Sequence, residues 1–230
     1  ERYNFTISES TPLDVEVAVD PEMIGQVYES LVNATAGDED ADVDSRLNAG
    51  IFYTPRVEID LMCRLTLVDC LANRLGEARK PLLYEVVFAH DDEEKADADA
   101  RLKQQDLWPA LDSALAKLTV CDPACGSGSF LVGMLLVLDD LQSRADRVLG
   151  RSRTAYQRRH AIIRESLYGV DVMGWAVHVA ELRLWLQLVI ETEVLTPELK
   201  FNPLLPNLSF KVREGDSLVQ EIGGVNLNLH

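Results

Sequence analysis

The sequence predicts an α/β fold built on a parallel sheet and preceded by a mainly helical region. Three observations carry that expectation. From Leu118 onward short β-rich runs alternate with long helical ones, and the first run leads into a glycine-rich loop, Pro123 to Ser129. The composition, 47% hydrophobic and 26% charged over 230 residues, provides a sizeable core and excludes wholesale disorder and disulfide-scaffold classes. Strand, glycine loop, helix, strand, helix, strand is the grammar of parallel strands joined by crossover helices.

Taken in order, Leu13 to Val19 alternates apolar and acidic residues in strand fashion. Asp20-Pro21 then opens a helix running to Asn33, with Asp as cap and Pro at the first helical position. Thr54-Pro55 repeats the device before a helix from Arg56 to about Leu75. The apolar segment Pro81 to His90 fits no single element, and a helix follows around Leu107 to Lys117. Strands are expected at Leu118–Asp122, Ser166–Asp171 and within Leu208–Asp216, and helices at Phe130–Leu149 and Trp175–Thr192. The second of these helices is apolar nearly all round, so Trp175 and Trp185 read as core. A division follows at 1–115, a lead-in region, and 116–230, a half built around the glycine loop.

Charge is divided unevenly between these halves. The net charge is −16, of which residues 1–115 carry −15. Two tracts, Gly37–Asp44 and Asp91–Asp99, supply −10 of it and read as solvated loops or frayed helix ends. An acidic average argues against nucleic-acid binding through the general surface. A countervailing basic segment holds seven arginines between Arg144 and Arg164, with Asp146 as its one acid. Phosphate contact is one reading, and a solvated helix-loop-helix surface is the other. The four cysteines, Cys63, Cys70, Cys121 and Cys125, lack the second pair that a zinc site needs and read as reduced thiols. No basic, apolar leader opens the chain, and the longest apolar run, Phe130 to Leu138, is too short to span a bilayer. The expectation is a cytoplasmic protein without membrane contact.

The strongest local signal is Cys121 to Leu135, CDPACGSGSFLVGML. A strand ending in an acid, two glycines and then an apolar helix sets backbone N–H groups beside a carboxylate, which is a ligand site. No Lys follows Gly126 or Gly128, so a phosphate-cradling P-loop is excluded, and Leu131 stands where a dinucleotide fold places a third glycine. Asp122 repels pyrophosphate and suits the ammonium of an amino-acid moiety.

The decapeptide DPACGSGSFL resembles the first cofactor motif of the S-adenosylmethionine-dependent, adenine-specific DNA methyltransferases. Three further segments resemble family motifs: GIFYTP (Gly50 to Pro55), LYGVDV (Leu167 to Val172) and VREGDSL (Val212 to Leu218). The resemblance implies a Rossmann-like methyltransferase fold of which these residues supply the first three strands. It implies that Asp122, Ala124, Gly126 and Gly128 line the methionine and sulfonium region of S-adenosylmethionine, with Tyr53 and Thr54 at its carboxylate. Asp171 would accept from the ribose hydroxyls and Val172 would flank the adenine. Asp216 would accept from the exocyclic amine, and the Ser217 backbone would read a ring nitrogen. Read singly, Asp122 and Asp171 could cap the following helices, Asp216 could form a Gly-Asp turn, and Tyr53 could be a hydrophobic staple.

The family's catalytic Asn/Asp/Ser-Pro-Pro-Tyr/Phe loop has no counterpart, because no Pro-Pro pair occurs in the 230 residues. The expectation is therefore the cofactor half of a larger enzyme, similar to the large fused restriction-modification methyltransferases and inactive in isolation. Double-stranded DNA would be its partner through parts outside this chain. A non-catalytic interaction or specificity module with the same fold, or an RNA or protein methyltransferase, are the rival readings.

Overall fold

The structure is a computed structural model that describes residues 54–190 and 211–219, together with Ile24, Val27, Leu208 and two short strands near the C-terminus. Ile24 and Val27 are helical, as expected of the segment after Pro21. The opening strand, the first acidic tract and Tyr53 lie outside the described residues.

Four helices precede the sheet: α1 (Arg56–Leu75), α2 (Lys80–Phe88), α3 (Asp92–Gln104) and α4 (Trp108–Ala116). Then come β1 (Val120–Asp122), α5 (Ser129–Leu149), α6 (Ala155–Glu165), β2 (Leu167–Asp171), α7 (Gly174–Val189) and β3 (Val212–Glu214). The three strands pair in parallel in the order β1-β2-β3, with Asp122 opposite Gly169 and Asp171 opposite Glu214. The expected alternation thus forms a three-stranded parallel sheet with crossover helices. Beyond it, β4 (Glu221–Ile222) and β5 (Val225–Asn226) pair antiparallel with each other as a separate ladder.

Helix α5 organises the core. Leu131, Leu135, Leu138 and Leu141 recur at helical spacing and are at most 1% exposed, each worth roughly 1.5–3 kcal/mol of burial. The helix packs against α1, α4, α6, α7 and β2. Gly133 lets α1 come close, since a Cβ there would lie 2.6 Å from the Ile59 side chain.

Several local expectations change in the structure. Pro55 takes the cap position of α1 and Arg56 is its first helical residue, so Thr54 stands one residue outside the cap. The ambiguous segment after Lys80 is helical, with Pro81 in its first turn, where a missing N–H costs nothing. Of the two readings of the second acidic tract, a helix end is the one found: it starts α3, capped and not frayed. Asp91 caps it by accepting from the Glu94 N–H at 2.8 Å, and Asp92, Glu93 and Glu94 stand at its positive end with Arg101 and Lys103 at the other. Helix α7 is one-sided: Leu184 and Leu188 are buried, Leu182 and Val189 are exposed, and Trp185 packs against the core from a half-buried position.

The basic segment is the largest revision. It does form helix, loop and helix, but much of its charge is internal. Arg144 is 1% exposed; its Nε and Nη2 donate to Asp99 Oδ1 at 2.9 and 2.5 Å, and its Nη1 to the Val86 carbonyl at 2.7 Å. Arg158 and Arg159 are buried and share Asp139, each through Nε, at 2.7 and 2.8 Å. Arg153 forks onto Asp146, and Arg151 bridges Asp146 and Asp112. The sequence window concealed this because most of the acids lie outside it, Asp99 being 45 positions from Arg144.

Removing one partner of a buried pair strands the other. Asp99→Ala should cost about 3 kcal/mol in urea denaturation, the low end for such a loss because Asp140 and the Val86 carbonyl still face Arg144. Arg164→Ala, at a largely exposed pair with Glu165, should leave the midpoint unchanged.

Candidate functional site

The parallel register brings three carboxylate-bearing residues to the same sheet edge: Asp122 ends β1, Asp171 ends β2 and Glu214 ends β3. The glycine loop crosses this edge. Its backbone polar groups are largely satisfied nearby: the Cys125 N–H donates to the Val170 carbonyl at 2.9 Å, and the Gly128 N–H to the Cys125 carbonyl at 2.8 Å. Asp171 takes two backbone donors, Gly126 on Oδ2 at 2.8 Å and Met173 on Oδ1 at 2.9 Å. Each carboxyl oxygen has a further lone pair with which to accept.

Asp122 is treated differently. Its Oδ1 accepts from the Ala124 N–H at 3.1 Å, while its Oδ2 is buried without a partner among the described residues. Burial raises its pKa above the ordinary carboxylate range, the Ala124 N–H pulls it back, and the Asp171 charge adds to the rise. The carboxylate borders a cavity of about 270 Å³ between α1, β1 and α5, whose lining includes Met62, Cys63, Thr66, Phe130 and Met134.

Two glycines of the loop are required by backbone shape. Gly126 has φ +52° with open space where a Cβ would point, and Gly128, the N-cap of α5, has φ +83°. A Cβ on Gly128 would also lie 2.8 Å from the Ala180 Cβ on α7. Three residues on, Arg183 reaches the same loop. Its Nη1 donates to the Ser127 carbonyl and hydroxyl at 3.0 Å each and to Ser129 Oγ at 2.9 Å.

The exit of β3 closes onto the loop as well. Ser217 Oγ donates to the Pro123 carbonyl at 2.6 Å, and Asp216 Oδ1 accepts from the Leu218 N–H at 2.8 Å, an Asx turn. The structure therefore gathers Asp122, Ala124, Gly126, Gly128, Asp171 and Ser217, with Asp216 adjoining and Val172 exposed beside Asp171. Thr54 lies outside regular structure, two residues before the start of α1, the helix that walls the cavity.

Sequence reasoning did not single out the α1 cavity wall or Arg183. A lone arginine within the apolar run of α7 was the available signal for the second. Two of the cysteines are poor nucleophiles: burial pushes the Cys63 and Cys125 thiols up to about 12, with nearby carboxylates adding to the rise. All four cysteines are free thiols, and no cluster of metal-binding side chains occurs among the described residues. No described helix is long and apolar enough to cross a membrane.

Residues 95–220 match the family described as MmeI, DNA-methyltransferase domain, a span that holds the glycine loop, Asp171, Arg183 and Asp216. Along all 230 residues the chain is 32% identical to a Methanocaldococcus jannaschii protein named as a type II restriction enzyme and methyltransferase. It spans 18% of that relative's length.

Gly128→Ala should be more damaging than Gly126→Ala. Both adopt a left-handed backbone that costs an L side chain about 1–2 kcal/mol, and the Ala180 clash should add about 1–3 kcal/mol at Gly128 alone. Urea denaturation of the two variants measures the difference. Asp122→Asn should stabilise the ligand-free chain at neutral pH. Its carboxyl holds a proton more tightly folded than unfolded, so wild-type stability rises as pH falls through the raised folded pKa and levels off below the unfolded one. The variant should lack that segment of the pH profile.

Proposed function

The chain belongs to the family of MmeI DNA-methyltransferase domains, and from that premise we propose that its glycine-loop site binds S-adenosylmethionine for methylation of the exocyclic amine of adenine in double-stranded DNA. The enclosing enzyme is then a restriction-modification methyltransferase, a reading supported by the name of the archaeal relative. Adenine as the target is supported by the closeness of DPACGSGSFL to the adenine-specific motif.

The observation that carries the cofactor reading is the unpartnered, buried Oδ2 of Asp122 beside an open glycine loop. A carboxylate oxygen there suits a cationic amino-acid group and disfavours a phosphate. The group fits the other residues present. Gly126 leaves space where any side chain would project, and Asp171, steadied by two amides, retains lone pairs for hydroxyl donors. Asp216 and Ser217 lie where the β3 exit meets the loop at Pro123. S-adenosylmethionine supplies an electrophilic methyl group on its sulfonium. The chain's residues would hold it: Asp122 at the ammonium, Ala124, Gly126 and Gly128 along the methionine and sulfonium region, Thr54 near the carboxylate, Asp171 at the ribose, and Val172, Asp216 and Ser217 around the adenine.

DNA contact is assigned to parts of the enzyme outside this chain. The basic segment offers few open phosphate partners, because Arg144, Arg158 and Arg159 are buried against aspartates and Arg151 and Arg153 are engaged with Asp112 and Asp146. The target amine also needs acceptors to orient its lone pair, and no Asn-Pro-Pro-Tyr segment occurs in these residues.

Titration calorimetry with S-adenosylmethionine up to millimolar concentration should give saturable binding that Asp171→Ala abolishes. A folded sample that takes up no cofactor would refute the assignment. The isolated chain should transfer no labelled methyl group to duplex DNA, and measurable transfer would show that a catalytic acceptor set lies within it.

A further inference from the structure

Helix α7 is apolar along most of its length yet turns a cation, Arg183, toward the interior. The residue is 4% exposed. A buried guanidinium is costly unless its donors are met, and three of its hydrogen bonds end on the glycine loop: two at Ser127, itself 4% exposed, and one at Ser129. Between these serines lies Gly128, pressed against Ala180 one turn earlier on the same helix. Three consecutive loop residues are therefore held by α7 through one contact of shape and one of charge. The remaining anchors hold mainly the first half of the loop: the Ala124 and Gly126 N–H groups donate to the Asp122 and Asp171 carboxylates, Ser217 Oγ to the Pro123 carbonyl, and the Cys125 and Gly128 N–H groups to backbone carbonyls. Glycines at φ +52° and +83° have wide conformational freedom, so the path from Ser127 to Ser129 depends on restraint from outside the loop.

We propose that Arg183 is a positioning residue that holds Ser127 to Ser129 in the shape that receives the cofactor before it arrives, and thereby sets cofactor affinity. The consequence for affinity rests on the S-adenosylmethionine reading above, whereas the consequence for loop order does not. Preorganisation of this kind raises affinity by lowering the ordering cost of binding.

The test combines amide hydrogen exchange on the ligand-free chain with calorimetry, on wild type, Arg183→Met and Arg183→Lys. In Arg183→Met, exchange at Gly126 to Ser129 should rise about ten- to a hundredfold, the range for losing hydrogen bonds to a charged group. The interior of α5 should keep its protection. The dissociation constant for S-adenosylmethionine should weaken by a similar factor with the stoichiometry per folded chain unchanged, and Arg183→Lys should recover part of both effects. A merely structural role would lower stoichiometry and protection throughout, leaving the affinity of the folded fraction intact, and that result overturns the proposal. So does loop exchange equal to wild type. If wild type binds no S-adenosylmethionine, the cofactor reading fails and loop exchange alone decides on Arg183. If Arg183→Met does not fold, the double variant Ser127→Ala, Ser129→Ala keeps the cation and removes two acceptors. It should show the same loop-confined rise, and unchanged exchange there overturns the proposal.

Discussion

The carboxylate of Asp171 is the interaction on which the site is built. Its two oxygens take backbone amides from different elements, Gly126 in the loop after β1 and Met173 in the turn before α7, while its own carbonyl accepts from Gly215 at the exit of β3. Charge-assisted bonds of this kind are stronger than neutral ones. One residue thus ties together the three chain segments that leave the sheet edge. The path of the loop follows from that tie, with its left-handed glycines and the start of α5 at Ser129. The position of α5 in turn sets the core, because four of the other helices pack on it.

A second constraint explains how so acidic a chain folds around a helix bearing charges. Along α5 the apolar contacts dominate early, and Asp139, Asp140, Arg144 and Asp146 follow toward its C-terminal end. Together they reach three neighbouring segments: Asp139 takes Arg158 and Arg159 of α6, Asp140 takes Lys95 of α3, Arg144 takes Asp99 of α3, and Asp146 takes the loop arginines. Buried pairs contribute little net stability compared with apolar packing, but mispairing any of them strands a charge. The apolar half of α5 drives collapse, and its charged half discriminates among ways of docking α3 and α6.

That division also explains what could be read from the sequence. The strands, the crossover helices, the glycine loop and the ends of β1 and β2 at Asp122 and Asp171 were legible because each rests on local periodicity or a contiguous motif. The α3 helix and the fate of the arginines were not. DDEEKADAD is unremarkable as a solvated tract until Asp91 is seen to cap it and Asp99 to meet Arg144 from 45 residues away. Within the site, the loop residues were legible, but what holds the loop was not. Neither Arg183 nor the wall formed by Met62, Cys63 and Thr66 belongs to a motif, and proximity to the loop arises only from packing.

The two aspartates at the sheet edge illustrate how one chemical group is given two roles by its surroundings. Asp171 has a backbone donor on each oxygen and is thereby a structural strut that keeps spare acceptor capacity. Asp122, two strand positions from equivalent in register and repelled by Asp171, has one oxygen without a partner among the described residues and a pKa raised chiefly by burial. Glu214 completes the row, its carboxylate lying against Gly174 at the N-terminus of α7, where the helix dipole favours a negative charge. An edge that concentrates negative charge in this way is unfavourable to phosphates and favourable to a ligand that brings an ammonium and hydroxyl donors. The glycine loop alone is shared by several cofactor classes. On the proposed cofactor reading, the unequal satisfaction of its flanking carboxylates is what would narrow the choice among them.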